Sequence, residues 1–188
     1  MNTAAADDPA WNLRAYQMLA PLGGRVSHLE LFPMPNVADP ADVLLSQDLI
    51  FVGGGSVANM LAVWRVHGFD RILREAWESG VVLFGWSAGM ICWFEAGVTD
   101  SFGPELAPLD CLGFLPGSAC PHYDGEERRR PVYRALVDGG FPAGLAADDG
   151  VGLRFAGREL AEVVTAREGA TAYRVEPGSE TALAARLV

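Results

Sequence analysis

The stretch VVLFGWSAG, residues 81–89, decides the fold class of this chain. Its first part, VVLFG, is apolar and rich in β-branched residues, which is typical of a strand buried in a parallel sheet. Ser87 follows at once, and a helix is predicted to begin near Ala88. A similar stretch, DLIFVGGGS at residues 48–56, predicts a second short buried strand that ends in a tight glycine turn.

Helices and strands are predicted to alternate outward from these two stretches. Helical spacing of apolar residues predicts helices over 9–21, 41–46, 57–66, 70–79 and 126–138. Further strands are predicted over 25–32 and on both sides of the DDG turn within 145–155, with a closing hairpin of 160–165 and 170–175. The alternation favours an α/β fold with a mostly parallel sheet, in one catalytic domain spanning residues 1–188.

Two parts of the chain fit this pattern less well. Residues 97–121 are rich in Gly, Pro and other turn residues, which predicts turns and loops. The chain also opens with a helix, whereas such folds usually open with a central buried strand. Either the first sheet strand is missing at the N-terminus, or the sheet starts differently.

Composition excludes several classes of protein. The chain has 188 residues, 50% of them hydrophobic, and a formal net charge of −10, so nucleic acid is not expected as a partner. Every basic residue is Arg, so no Lys can act as a base. The cysteines Cys92, Cys111 and Cys120 lack the spacing of a disulfide framework or a zinc site, which predicts reduced thiols in a cytoplasmic protein. No apolar run predicts a membrane span, and no metal or organic cofactor is implied.

The segment GWSAG, residues 85–89, fits the G-x-S-x-G pattern of a nucleophile elbow. A sharp strand-to-helix turn lifts the Ser87 hydroxyl clear of the backbone, and glycines on both sides avoid crowding that turn. The N–H of Ala88 would then stabilise an oxyanion. The alternative is that Ser87 only caps a helix in a turn of small residues.

The three glycines at residues 53–55 allow another backbone to approach closely. No Lys-Ser/Thr follows, so a phosphate-binding P-loop is excluded, and the dinucleotide fingerprint fails at Val57 and Ala58. The N–H of Gly54 or Gly55 is the better candidate for a second oxyanion donor facing Ser87. A plain tight turn is the alternative.

A serine nucleophile needs a base to accept its proton. Of the three histidines, His28 falls in a predicted strand and His67 ends a helix before Gly68. His122 falls in a loop, CPHYD, where catalytic residues of α/β folds gather. His122 is therefore the predicted general base, with a lone surface histidine as the alternative.

With Ser87, the glycine turn and His122 in this order, the chain resembles the peptidase E and cyanophycinase family of serine peptidases. The resembling stretches are FVGGGSVANML (51–61), GWSAG (85–89), TDSFGP (99–104), CPHYD (120–124) and LAADDGVGL (145–153). The resemblance implies a three-layer α/β/α sandwich, flavodoxin-like and related to the class I glutamine amidotransferases. It also implies Ser87 as nucleophile, His122 as its partner, and Gly54 or Gly55 with Ala88 as the oxyanion hole.

The same resemblance leaves the third triad member open. An acid that follows the nucleophile shortly would match Asp100, and an acid that follows the histidine would match Asp149. Glu95 and Asp124 remain further alternatives, and any of these acids could instead serve a turn or a helix cap. An arginine that recognises acidic substrates would match Arg128, in a cluster that could otherwise be a solvated helix face.

Two departures from the family limit what the resemblance implies. Only Tyr123 and Asp124 separate His122 from the following Gly-Glu, where peptidase E has a longer segment that helps shape its pocket. If the first sheet strand is missing, the apolar surface left exposed would favour a homodimer.

Three functions follow from this sequence. The first is a serine exopeptidase that hydrolyses short peptides through an acyl-enzyme on Ser87. Aspartyl dipeptides are its leading substrates, followed by cyanophycinase-like or carboxypeptidase-like specificity. The second is an ester or amide hydrolase outside peptide metabolism, and the third is an inactive homologue that binds a ligand.

Overall fold

The structure is a computed structural model that describes residues 1–188. The chain divides into two compact units, Met1–Met90 and Ile91–Val188. None of its helices combines the length and the apolar character needed to span a membrane. One catalytic domain over the whole chain stays a prediction.

The first unit alternates helices and strands, as predicted. Its elements are α1 Pro9–Leu19, α2 Pro40–Leu45, β1 Leu49–Val52, α3 Val57–His67, α4 Phe69–Glu78, β2 Val82–Gly85 and the start of α5 Ala88–Ile91. Side-chain caps fix two of the helix starts: the Asp8 carboxylate accepts from Ala10 N, and the Ser56 hydroxyl accepts from Asn59 N.

The two strands of this unit pair in parallel, from Leu49 opposite Val82 to Val52 opposite Gly85. Because parallel strands end at the same edge of a sheet, the glycine turn and the Ser87 turn emerge side by side. The large buried side chains Met60, Leu61, Trp64, Phe69 and Leu73 come from α3 and α4.

The strand predicted over residues 25–32 is wrong. Leu29 and Leu31 are buried alternately, which explains the pattern, but the segment joins no sheet. Its backbone donors are bound by side chains instead, since Asp7 Oδ2 accepts from Leu31 N at 2.6 Å and from Phe32 N at 3.2 Å. These bonds take the place of a sheet ladder.

The second unit is richer in strands. Its elements are β3 Phe94–Thr99, β4 Ala107–Asp110, β5 Leu115–Cys120, α6 Arg129–Asp138, β6 Gly144–Ala147, β7 Val151–Ala156, β8 Glu159–Thr165, β9 Ala172–Glu176, β10 Ser179–Ala182 and β11 Arg186–Leu187. Six strands form a mixed sheet in the order β10-β9-β6-β5-β3-β4. The central pairs β3–β5 and β5–β6 are parallel, and the outer pairs are antiparallel. A separate three-stranded sheet has the order β11-β8-β7.

Residues 97–121 are not the loop region that their composition predicts, because half of β3 and all of β4 and β5 lie there. Pro108 is tolerated in β4, the last strand in the sheet order. The register between β3 and β5 shifts where Phe94 opposes Leu115 but Ala96 opposes Ser118. Gly117 has φ 76° at this bulge, a conformation that suits glycine.

The predicted closing hairpin is also wrong, although its two strands exist. β8 pairs antiparallel with β7, whereas β9 pairs antiparallel with β6 and β10. The alternation of apolar residues locates strands, but it does not say which strand is the neighbour.

Helix α6 packs its apolar face on the six-stranded sheet. Tyr133 and Val137 are fully buried in a cluster with Val98, Cys120 and Ala146. Inside this cluster the Tyr133 hydroxyl lies 2.7 Å from Ser118 Oγ, so neither buried polar group lacks a partner. Because β5 and β6 pair in parallel, their carboxyl ends meet at one edge of this sheet.

Candidate active site

The segment predicted to be a nucleophile elbow makes a turn at the end of β2. Ser87 follows the strand with φ 54°, a left-handed conformation that is rare for residues other than glycine. A Cβ atom would lie 2.3 Å from Val52 O if added at Gly85, and 2.1 Å from the same oxygen if added at Gly89. Both glycines are therefore required for the turn to pack against the end of β1.

The helix that follows Ser87 is shorter than expected. α5 spans only Ala88–Ile91, so a helix dipole can contribute little at the elbow. Individual amides remain available: Gly89 N donates to Trp86 O and Met90 N to Ser87 O, whereas the N–H of Ala88 makes no hydrogen bond within the chain.

The glycine turn lies against the elbow. A Cβ added at Gly54 would be 3.2 Å from Ser87 Cβ, so the Gly54 backbone packs directly beside the serine. Gly55 has φ 132°, and its backbone is pressed against Ala4, whose carbonyl oxygen would lie 2.3 Å from an added Cβ. Of the two predicted oxyanion donors in this turn, Gly54 is the one in contact with Ser87.

His122 lies just beyond the carboxyl end of β5, again in a left-handed conformation, with φ 56°. Its Nδ1 lies 2.7 Å from Asp149 Oδ1. The two side chains are 31% and 51% exposed, so solvent and substrate can reach them. The other two histidines are placed differently: His28 Nδ1 contacts the Tyr16 hydroxyl at 2.9 Å, and His67 ends α3.

The candidate acids have four different partners. Asp149 contacts His122, whereas the Asp100 carboxylate lies 3.9 Å from Arg129 Nη2. Glu95 Oε2 accepts from Gly117 N at 2.8 Å, and Asp124 Oδ1 accepts from Asp149 N at 2.8 Å. The structure therefore brings one of the predicted acids, Asp149, to the imidazole.

Asp149 comes from the DDG turn after β6, where two adjacent acids have opposite surroundings. Asp148 is buried, and its Oδ2 accepts from Thr171 N at 3.0 Å. Asp149 is exposed, and its carboxylate faces the imidazole. The Asp148 carboxylate therefore ties the turn to Thr171, whereas the Asp149 carboxylate stays available to His122.

The Asp124 carboxylate beneath this turn carries a perturbed pKa. Partial burial opposes ionisation, but hydrogen bonds from Arg167 and from the Asp149 N–H outweigh it and lower the pKa of Asp124 below its usual value. Asp124 is therefore charged at neutral pH. The sequence suggests Asp124 only as a substitute acid, because no local pattern signals Arg167, 43 positions further on.

The three consecutive arginines take three different roles. Arg128 is exposed, pairs with Glu105 and donates to Pro104 O at 3.2 Å. Arg129 is buried and donates to Glu126 Oε2 at 2.7 Å and to Val98 O at 3.1 Å. Arg130 stacks over the rings of Tyr123 and Tyr173.

Two of the three cysteine thiols, those of Cys92 and Cys120, are buried and offer no competing nucleophile. Burial raises the pKa of Cys120 to about 12, and burial also raises the pKa of Cys92. Both thiols are therefore neutral and unreactive at physiological pH. No group of three or more His, Cys, Asp or Glu side chains is arranged to hold a metal ion.

Comparison with a solved structure defines the class of fold. A crystal structure of a peptidase from an acI-B1 Actinobacterium superposes with a TM-score of 0.71, over 98% of this chain and 79% of that one, at 18% sequence identity. The likeness confirms the predicted flavodoxin-like α/β fold.

Sequence comparison gives the family. The model of peptidase family S51 matches residues 3–163, and the chain belongs to that family. It is 50% identical to the uncharacterized peptidase YgaJ of Bacillus subtilis (strain 168), over 92% of this chain and 75% of that protein. It is 29% identical to peptidase E of Citrobacter koseri, over 64% of this chain and only 55% of that protein. The predicted resemblance to peptidase E is confirmed, and the protein is a peptidase, a hydrolase.

Proposed function

We propose that the protein is a serine exopeptidase that cleaves short peptides through an acyl-enzyme on Ser87. The observation that carries the proposal is the pair of left-handed residues, one a serine on an elbow and the other a histidine bonded to a carboxylate. Residues 1–188 would act as one catalytic domain, with Ser87 as its nucleophile and His122 as its general base.

In this mechanism His122 accepts the proton of Ser87 as its oxygen attacks the scissile carbonyl. His122 then gives that proton to the leaving amine, and water hydrolyses the acyl-enzyme by the same steps. Asp149 holds the imidazole with Nδ1 protonated and stabilises the positive charge that forms. The 2.7 Å contact between Nδ1 and Asp149 supports this role over the alternative of Asp100.

The developing oxyanion needs donors that are not already bound within the protein. The N–H groups of Gly54 and Ala88 meet this condition, since neither makes a hydrogen bond within the chain. Gly54 also packs against Ser87. Gly55 remains the second candidate in the glycine turn.

We propose aspartyl dipeptides as the leading substrates, with Arg128 binding the acidic side chain. A guanidinium binds a carboxylate with two parallel hydrogen bonds, which suits this role. Arg128 already pairs with Glu105 on the surface, so substrate would have to displace that carboxylate. Exposed pairs of this kind are weak, and the exchange therefore costs little.

A fluorophosphonate probe followed by a peptide panel tests the proposal. Wild type should be labelled and Ser87→Ala should not, because only an activated serine reacts. His122→Ala should lose labelling while keeping its circular dichroism spectrum. Asp-X dipeptides should be hydrolysed faster than blocked peptides or simple esters. Turnover of esters alone would point to the non-peptide hydrolase, and absence of labelling in folded wild type to a binding protein.

The identity of the acid has its own test. Asp149→Asn should lower kcat by about 10⁴-fold, because the amide stabilises the wrong imidazole tautomer. Asp100→Asn is the matched control, and it should lower kcat by less than about tenfold, since Asp100 lies near Arg129 instead. The opposite ranking of the two variants would assign the role to Asp100.

A further inference from the structure

We propose that Asp124 and Arg167 are positioning residues that hold Asp149 against His122. The inference rests on the proposed function, in which Asp149 orients the base. All four residues belong to the second unit, and neither Asp124 nor Arg167 is assigned a contact with substrate.

The Asp124 carboxylate links the turn that carries Asp149 to the guanidinium group of Arg167. One carboxylate oxygen, Oδ1, accepts from the backbone N–H of Asp149 at 2.8 Å. The other, Oδ2, accepts from Arg167 Nη2. We call this pair the Asp124–Arg167 clamp. It acts on the backbone of Asp149, and so leaves the Asp149 carboxylate available to His122.

Arg167 is itself held in place at the end of β8. The Thr165 hydroxyl accepts from Arg167 N at 3.1 Å and donates to Arg167 O at 2.9 Å, and Thr165 is buried. The neighbouring Ala166 N donates to Gly150 O at 2.9 Å. The end of β8, which is followed by Arg167, is therefore hydrogen-bonded directly to the turn that carries Asp149.

Gly125 lies against the Asp149 carboxylate and helps to fix its position. A Cβ atom added at Gly125 would lie 2.1 Å from Asp149 Oδ2. The glycine backbone therefore lies against the oxygen that does not contact His122. A larger residue here would push the carboxylate out of its present position.

The clamp is suited to fixing geometry rather than to stabilising the fold. The Arg167 and Asp124 side chains are 51% and 33% exposed, and such exposed ion pairs contribute little to stability. A displacement of about 1 Å in a catalytic group can nevertheless cost about 10²-fold in rate. Loss of the clamp should therefore be visible in kcat and nearly invisible in the unfolding temperature.

The first test measures steady-state kinetics with an Asp-X dipeptide for Asp124→Ala, Arg167→Gln and the double variant. We expect kcat to fall between about 10- and 100-fold in each, with KM changed by less than about twofold. Because Arg167 acts through Asp124, the double variant should lose no more than Asp124→Ala alone. Arg167→Lys keeps the charge and should retain most of the activity.

Arg154→Gln is the matched control, since Arg154 is an exposed arginine on the adjacent strand β7 that pairs with Glu162. It should leave kcat unchanged. Gly125→Ala should lower kcat with little loss of stability, because it displaces only the end of a flexible side chain. Additive losses in the double variant, or an unchanged kcat in both single variants, would overturn the proposal.

A second measurement does not depend on activity. In protein with ¹⁵N-labelled histidine, the Nδ1–H proton of His122 should resonate far downfield, because it is bonded to a carboxylate. This signal should broaden or vanish in Asp124→Ala and Arg167→Gln and persist in Arg154→Gln. If the signal depends on the clamp but Ser87 is never labelled, the clamp stands and the proposed function fails. If neither substitution changes this signal, Asp124 and Arg167 do not hold Asp149 against His122, and the proposal fails.

Discussion

Ser87 and His122 adopt the same uncommon backbone conformation, with φ 54° and 56°. A residue with a Cβ atom pays about 1–2 kcal/mol for this left-handed geometry. Each of the two residues lies two positions beyond the end of a strand, β2 and β5 respectively. Strain of this kind concentrates at functional sites, where the surrounding structure maintains it.

Ser87→Gly should therefore be more stable than Ser87→Ala, by about 0.5–1 kcal/mol, because glycine adopts a positive φ without steric cost. Urea unfolding of the two variants measures the difference. Ser46 provides the control, since it ends α2 with φ −87°. There, glycine should be the less stable of the two substitutions. Equal stability of Ser87→Gly and Ser87→Ala would mean that Ser87 carries no strain.

The amino-acid sequence marks the candidate reactive residues more clearly than the residues that support them. Ser87 and His122 were recognisable because each stands in a short motif, GWSAG and CPHYD. The choice between Asp100 and Asp149 could not be made, since either acid has a suitable chain position. Arg167 carries no motif at all, and only the pairing of β7 with β8 brings it to Asp124.

At the scale of elements, the elbow depends on how closely β1 and α5 approach. Gly89 lies inside α5, where alanine would normally be preferred by about 1 kcal/mol. Here an added Cβ would lie 2.1 Å from Val52 O and 3.0 Å from Val52 Cβ. The contact is with backbone, which cannot move without displacing the strand.

Gly89→Ala should consequently destabilise the protein by about 2–3 kcal/mol, although alanine is the better helix former. Gly24→Ala is the control, because nothing lies within 4 Å of a Cβ added there. Its effect should stay within about 0.5 kcal/mol. Unfolding in urea, followed by circular dichroism, distinguishes the two. A neutral Gly89→Ala would show that β1 and α5 can separate freely.

The elements that were predicted well are those that depend on residues close to them in the sequence. α3 and α4 follow from apolar spacing and from caps at Ser56 and Gly68, and both formed close to the predicted bounds. The strands between residues 94 and 120 were missed because Gly and Pro mark them as turns. Their stability comes from neighbours in the sheet, which composition does not reveal.

For the whole molecule, the dominant property is its net charge of −10. An acidic protein repels an acidic substrate at long range, and any local attraction by Arg128 must overcome that field. Salt screens the long-range part over about 8–10 Å at physiological ionic strength, and contacts at shorter range are screened less.

The kcat/KM for an Asp-X dipeptide should therefore rise roughly threefold as ionic strength increases from about 10 to 150 mM. An Ala-X dipeptide, which has no net charge, should show almost no dependence. Stopped or continuous assays at constant pH in NaCl measure both. A fall in kcat/KM with salt for the acidic substrate alone would mean that local arginine charge outweighs the net field.

The two aspartates of the DDG turn limit which changes of sequence this region can tolerate. Asp148 is buried and Asp149 reaches outward to the imidazole, so their order along the chain determines which carboxylate is presented. Inserting a single residue before them would shift the anchoring acid into the outward place. An insertion or deletion in the β6–β7 connection therefore displaces both carboxylates at once, whereas a substitution changes only one of them.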